Sequence, residues 1–202
     1  MERSAGTLSI ALLLFAGAVC AQTVRYDIEP SEDGRFELQV YKTGLMSGKV
    51  HVFVFERYEG TFDYDPEVPM DAVVKFAVVS DSIQCLDDWV SENDRAKILK
   101  EARGNMLAVD RFPQLRFEAR GLARGDAGTF TASGRLTIRD QTKTVPVEVK
   151  LTRRDEGFWI EGSAVVALKD FGLDPPSAAF GLIGTKSEMD VRFALRAAPA
   201  KE

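Results

Sequence analysis

Apolar and polar residues alternate with a period of two along most of the chain. This pattern predicts β-strands with one buried and one solvated face. The alternation covers residues 24–90 and 113–196. The clearest runs extend from Phe36 to Val40, Ala72 to Val78, Phe130 to Ile138, Val145 to Leu151 and Met189 to Leu195. A solvated face favours antiparallel strands, because parallel strands are usually apolar on both faces.

Short polar segments with a glycine separate the predicted strands and are typical of tight turns. They are Asp33-Gly34, Thr43-Gly44, Glu59-Gly60, Gly125-Asp126 and Glu156-Gly157. Many antiparallel strands joined by short turns form a meander, and a long meander tends to close on itself because closure removes exposed strand edges. We therefore predict a single all-β barrel domain.

One segment, residues 91–104, breaks this alternation and predicts a single amphipathic helix. Ser91 with Asp94 resembles a capping box at its start, and Gly104 is suited to its end. The apolar residues that share one face are Ile98, Leu99 and Ala102. We expect this helix to lie over one opening of the barrel.

The first 21 residues are predicted to be a signal peptide. An apolar run from Leu8 to Val19 follows a short polar start, and Val19-Cys20-Ala21 supplies small residues for cleavage before Gln22. The alternative is a buried N-terminal helix. A lipid anchor on Cys20 is disfavoured, because the leucine expected three positions upstream is Gly17. We expect a periplasmic protein with a barrel domain over residues 22–196 and a frayed tail over residues 197–202.

Composition and charge exclude several classes of function. The chain of 202 residues has 26 basic and 31 acidic side chains, and its net charge of −5 disfavours a general nucleic-acid binder. Its single histidine cannot build a multi-histidine metal site or a di-histidine haem site. We expect neither a metal nor a cofactor. After cleavage Cys85 would be the only thiol, which excludes an intrachain disulfide.

The apolar stripes of the predicted strands have two interpretations. They either fill the barrel as its core or line a cavity for an apolar ligand, since an eight-stranded barrel is large enough for one small molecule. Small residues on the inward faces favour a cavity weakly: Ala72, Ala119, Ala132, Gly134, Gly162 and Ala164. Periodicity alone does not decide between the two.

Five motifs in chain order resemble those of the YceI-like, polyisoprenoid-binding family. They are Tyr26-Asp27-Ile28, Ser82-Ile83, the stretch from Asn105 to Phe117, Gly134-Arg-Leu-Thr-Ile-Arg-Asp-Gln-Thr-Lys143 and Lys169-Asp170-Phe171-Gly172-Leu173. The resemblance implies an eight-stranded, antiparallel, lipocalin-like barrel with one helix. It also implies that a polyisoprenoid chain lies along the barrel axis.

If this resemblance extends to the ligand, the inward apolar residues are the candidate pocket. We predict that the pocket is lined by Phe36, Leu38, Val74, Phe76, Phe117, Phe130, Leu136, Val147, Ile160, Val166, Val191 and Phe193. The candidate headgroup and entrance residues are Lys169, Asp170 and Lys186. The function expected is a non-catalytic, reversible lipid carrier, with an isoprenoid lipid as ligand in place of a cofactor.

Two other classes of function stay open at this point. A scaffold with a filled barrel would bind a partner through its outer face, for which Trp89 and the helix are candidates. An isomerase or cyclase would need acid–base groups in an apolar cavity, and the candidates are Tyr26, Tyr41, His51 and Asp170. The sequence also leaves open transient contact with a membrane and pairing of two barrels.

Overall fold

Twelve β-strands and one α-helix form the structure of residues 22–201, which is a computed structural model. The strands are β1 (Val24–Ile28), β2 (Arg35–Gly44), β3 (Val50–Phe55), β4 (Tyr58–Tyr64), β5 (Val73–Val79), β6 (Ile83–Cys85), β7 (Gln114–Arg120), β8 (Ala123–Arg124), β9 (Thr129–Ile138), β10 (Gln141–Arg154), β11 (Gly157–Ala167) and β12 (Ile183–Pro199). The helix is α1 (Glu92–Glu101). The predicted signal peptide lies outside the described residues, and so does Cys20, for which a lipid anchor is disfavoured.

Eight antiparallel strands close into a barrel, as predicted. Their order is β1, β4, β5, β7, β9, β10, β11 and β12, and pairing of β1 with β12 completes the ring. Of the four remaining strands, β8 pairs with β9 and the other three extend the wall. β2 pairs with the first part of β12, β3 pairs with β2, and β6 pairs with β3. β2 and β1 pair in succession with the edge of β12 that faces away from β11, β2 with residues 183–194 and β1 with residues 197–199.

The helix lies beside β6, the last strand of the extended wall. The Ser91 hydroxyl accepts a hydrogen bond from the Asp94 N–H at 3.2 Å, which confirms the predicted N-terminal cap. The guanidinium of Arg103 donates hydrogen bonds to the carbonyls of Asp81 and Ile83. These contacts fix the helical segment beside β6, so that it covers the open end of the barrel.

Two predicted ends of elements were wrong. Gly104 does not end the helical segment, because a π-helical turn, Ala102–Met106, continues through it and Ala108 takes the left-handed conformation with φ 47°. The tail is not frayed over its whole length. Residues 197–199 belong to β12, where they pair with β1, and Ala197 is 0% exposed. The strand continues because closure of the ring needs these backbone hydrogen bonds.

The opposite end of the barrel is packed with aromatic rings. Tyr26, Tyr64 and Phe158 are buried there, with the Phe158 ring edge-on to both tyrosines at centroid distances of 5.1 and 5.4 Å. Phe62 stacks on Tyr64 at 4.9 Å. Such aromatic contacts bury large apolar areas in a specific geometry. This end is therefore closed, and we call it the closed end.

Candidate functional site

A long apolar cavity of about 620 Å³ occupies the barrel interior. Ile98, Ala102 and Leu107 of the helical segment line it at the open end, and Ile28 and Leu195 line it near the closed end. Exposed residues such as Ser177 and Ala178 also contribute to its wall, so the cavity reaches the surface at the open end. A barrel interior filled by side chains is thus not observed.

The dimensions of this cavity suit one extended chain. On β11 the lining residues run from Ile160 to Val166 and continue at Leu168. The distance from Ile160 to Leu168 is about 26 Å along the strand, which is about 20 Å along the barrel axis at the usual strand tilt of about 40°. At about 30 Å³ per small group, the share of one water in the liquid, the cavity volume holds about twenty non-hydrogen atoms.

Eleven of the twelve predicted pocket residues line this cavity. They are Phe36, Leu38, Val74, Phe76, Phe117, Leu136, Val147, Ile160, Val166, Val191 and Phe193. Phe130 does not line it, although it lies on the same face of β9 as Leu136. It lies near the first residue of β9, toward the closed end, with the Arg124 guanidinium 5.9 Å from its ring centroid. The alternation therefore predicted that Phe130 faces inward, but it did not predict its position along the barrel axis.

Two inward glycines make room for aromatic rings in the cavity wall. A Cβ atom at Gly134 would lie 2.1 Å from the Phe117 ring, and one at Gly162 would lie 2.4 Å from the Phe193 ring. Phe117 and Phe193 therefore lie directly over the backbone of neighbouring strands. Of the other small inward residues, Ala132 and Ala164 line the cavity directly.

Polar lining residues cluster toward the open end of the cavity. They include Lys42, His51, Lys97, Glu101 and Thr185. The Lys42 ammonium donates a hydrogen bond to the Thr185 hydroxyl at 3.3 Å, and burial lowers the pKa of Lys42. The cavity therefore combines a long apolar part with one polar end, an arrangement that fits an amphiphile with a single headgroup.

The three predicted entrance residues lie outside the cavity wall. Lys169, Asp170 and Lys186 are exposed and do not line the cavity. Lys169 and Asp170 occupy a short 3-10 turn after β11, and the Lys186 ammonium lies 5.3 Å from the Tyr41 ring centroid. The loop prediction was close, because the neighbours Leu168, Ser177 and Thr185 do line the cavity. The alternation of β12 turns Lys186 outward and Thr185 inward.

His51 and Asp87 form a buried polar pair at the cavity wall. The His51 Nδ1–H donates to Asp87 Oδ2, and Asp87 Oδ1 accepts the Val52 N–H at 2.9 Å. Asp87 is only 2% exposed, so its carboxylate is held inside the protein. The Trp89 ring stacks on His51 at 5.1 Å and its Nε1–H donates to the Val50 carbonyl, so Trp89 is not a free surface residue.

The other acid–base candidates are placed away from the cavity. Tyr26 is buried at the closed end, and Asp170 is exposed. The Tyr41 hydroxyl donates to Asp190 at 2.6 Å, a contact that raises the pKa of Tyr41, and neither residue lines the cavity. Of the four candidates only His51 reaches the cavity. Within residues 22–201 no group of three His, Cys, Asp or Glu side chains is arranged to hold a metal ion.

Cys85 is a buried thiol on β6, and we expect it to be unreactive in the folded protein. Burial raises the pKa of Cys85 to about 11. Because the thiolate is the reactive form, alkylation by iodoacetamide at pH 8 should be about 100-fold slower than that of a free thiol, and the rate should rise with pH. The measurement uses a Cys20→Ser background, with urea-unfolded protein as the control. Alkylation of folded protein at the rate of a free thiol would contradict this expectation.

No helix within residues 22–201 has the length and apolar character needed to cross a membrane.

Comparison with known protein families gives one match that covers most of the chain. The YceI-like domain matches residues 26–197. A UPF0312 protein of Pseudomonas aeruginosa is 31% identical over 126 residues, and this chain spans 61% of that protein's length. A UPF0312 protein of Yersinia pestis is 27% identical over 176 residues, which are 82% of this chain and 84% of that protein.

Solved structures show the same fold at low sequence identity. BcnA of Burkholderia cenocepacia has a TM-score of 0.64 and 14% identity, over 81% of this chain and 96% of that one. A polyisoprenoid binding domain from Saccharophagus degradans has a TM-score of 0.59 and 10% identity, over 86% of this chain and 98% of that one. The YCEI protein of Campylobacter jejuni has a TM-score of 0.57 and 15% identity, over 74% of this chain and 85% of that one.

Proposed function

The chain belongs to the YceI-like domain family, and from this premise we propose that it is a lipid-binding protein that carries a polyisoprenoid or similar apolar chain inside its barrel. The observation that carries the proposal is the apolar cavity of about 620 Å³ along the barrel axis. The name of the Saccharophagus degradans domain, a polyisoprenoid binding domain, supports the chemical class of the ligand.

The proposed ligand lies with its tail toward the closed end and its headgroup at the open end. The volume of about twenty non-hydrogen atoms corresponds to about four five-carbon prenyl units. The aromatic and aliphatic wall offers a prenyl tail no hydrogen bonds and needs none from it. Lys42, His51 and Thr185 supply polar groups where a headgroup would lie.

Binding of this kind favours a reversible carrier over a permanent store. Transfer of one prenyl unit from water into the cavity contributes about 4 kcal/mol, at about 0.8 kcal/mol for each buried CH₂ group. A lipid bilayer solvates the same tail almost equally well. The net free energy of transfer from membrane to cavity is therefore small, and the ligand can move in either direction.

Three further parts of the proposal concern the location of the protein and the absence of catalysis. We propose export to the periplasm, supported by the apolar run from Leu8 to Val19. We also propose that the bound lipid is released unchanged and that no cofactor takes part. His51 is the one histidine and its Nδ1 atom is already hydrogen-bonded to Asp87.

Native mass spectrometry of the full-length gene product, purified without detergent, tests this proposal. We expect a bound species of several hundred daltons, and lipid extraction should release a prenylated molecule. When this lipid is added back to the protein and extracted again, its mass should be unchanged. A protein that carries no ligand and stays unbound after incubation with quinones and prenyl alcohols would contradict a carrier function. A released product that differs from the added lipid would indicate an enzyme.

A further inference from the structure

Three large apolar side chains are exposed together at the open end of the barrel. Leu45 is 76% exposed, Phe180 is fully exposed and Leu182 is 59% exposed. They lie on two turns, one between β2 and β3 and the other just before β12. The Leu45 N–H donates to the Leu182 carbonyl at 3.0 Å, so the two turns are joined. We call the turns 44–49 and 178–183 the lip.

The backbone of the lip holds these side chains outward. Gly44 takes φ 67°, and a Cβ atom there would lie 2.1 Å from the Leu182 carbonyl oxygen, so the two turns can meet only at a glycine. Ala179 and Phe180 both take left-handed conformations, with φ 51° and 55°. Two successive non-glycine residues in this region are strained. With this backbone conformation the Phe180 ring lies in solvent, away from the barrel core.

The lip adjoins the opening of the cavity. The backbone of Ala178 pairs with that of Ile183, and this pairing closes the turn that carries Phe180 and Leu182. Ser177 and Ala178 come just before this turn and line the cavity, and Thr185 comes just after it and does the same. Any surface to which the lip binds therefore also faces the opening of the cavity.

The lip and the residues that flank it carry a charge opposite to that of the whole chain. Residues 42–49 and 175–187 contain Lys42, Lys49 and Lys186 and no Asp or Glu, although the chain has a net charge of −5. The nearest carboxylates in sequence are Asp174 and Glu188, just outside the second segment. Apolar side chains flanked by lysines fit the surface of a bilayer that contains anionic lipids.

From these observations we propose that the lip docks the protein on an anionic lipid bilayer with the cavity opening toward the membrane. This inference rests on the proposed lipid-carrier function and adds the route by which the lipid enters. A prenyl tail could then pass from bilayer to cavity without crossing water. A second copy fits the lip less well, because the lysines of two identical lips would face each other. Three side chains are also far fewer than a stable protein interface of about 800 Å² per partner requires.

Flotation with vesicles tests the docking directly. The vesicles are phosphatidylcholine alone or a mixture of phosphatidylcholine and phosphatidylglycerol. We expect the wild type to bind the mixed vesicles and to dissociate as salt is added. The affinity of a Leu45→Ser/Phe180→Ser/Leu182→Ser variant for the mixed vesicles should fall by about tenfold or more, because each change removes a large apolar group from the membrane interface.

Two further variants separate charge and position from folding. Lys49→Gln/Lys186→Gln should weaken binding to mixed vesicles by about fivefold per lysine, without an effect on neutral vesicles. The control, Val68→Ser/Met70→Ser, removes exposed apolar side chains at the closed end and should leave vesicle binding unchanged. If the triple variant is unfolded, the paired lysine variant and the salt dependence still decide the result.

A parallel titration with farnesol in solution distinguishes failure of the docking from failure of the carrier function. Retained farnesol binding by the triple variant, with lost vesicle binding, would support docking. A wild type that binds farnesol but not mixed vesicles, or that binds vesicles equally well without its lip, would overturn the docking and leave the carrier function standing. Dimerisation of the wild type through the lip would overturn the membrane docking and would show that the lip binds a second copy of the chain. Lip-dependent vesicle binding without farnesol binding would overturn the carrier function alone.

Discussion

An Ala164→Trp variant is expected to lose at least 100-fold in affinity for a prenyl chain while the protein stays folded. Ala164 lies on β11, and its side chain lines the cavity between Gly162 and Val166. An indole ring placed there occupies space that one prenyl unit would fill. Loss of one unit removes about 4 kcal/mol of gross binding free energy, which corresponds to a factor of about 10² to 10³ in Kd.

The stability of this variant should change little, because the new ring enters an existing cavity and not a close-packed core. Titration with geranylgeraniol, whose four prenyl units need the whole cavity, followed by native mass spectrometry, measures the loss of binding. The matched control is Val165→Trp, which places the same ring on the outer face of the same strand, where Val165 is 58% exposed. Equal geranylgeraniol affinity for Ala164→Trp and Val165→Trp would show that the cavity is not the binding site.

The alternation of side chains predicted the barrel well because it is a local property of each strand. Val145, Val147 and Val149 face inward on β10, and the sequence alone shows this. It does not show that β12 runs for 17 residues and carries both β1 and β2 on one edge. That arrangement depends on pairing between residues far apart in the chain, which a period of two does not specify.

The candidate site was predicted in its apolar part and missed in its polar part. Orientation sufficed for residues such as Phe36 and Val191, whereas the depth of Phe130 depends on strand tilt in the closed barrel. Lys42 was not proposed, although it follows the inward positions Phe36, Leu38 and Val40 by one more step of two. The alternation therefore contained this signal. Lys97 and Glu101 line the cavity only because of how the helix docks, which no local pattern specifies.

The pairing of His51 with Asp87 also joins segments that are distant in sequence, and its loss should produce the largest effect on stability. An Asp87→Ala variant is expected to lower the free energy of unfolding by about 2–6 kcal/mol, at about 1–3 kcal/mol for each of the two buried donors that lose their acceptor. The reason is that the His51 Nδ1–H and the Val52 N–H lose their acceptors in a site where little water can replace them. Equilibrium unfolding in urea measures the change.

Asp88 provides the matched control, because it is the adjacent residue, carries the same side chain and is exposed. An Asp88→Ala change should stay within about 0.5 kcal/mol of the wild type. The double variant His51→Phe/Asp87→Leu should be more stable than Asp87→Ala, because it removes donor and acceptor together and leaves only the Val52 N–H without its partner. Similar urea midpoints for Asp87→Ala and Asp88→Ala would refute a structural role for the pair. A large loss for Asp87→Ala alone would show that this contact holds the β6–α1 connection against β3. Because His51 lines the cavity, the same hydrogen bond also orients a side chain at the polar end of the candidate site.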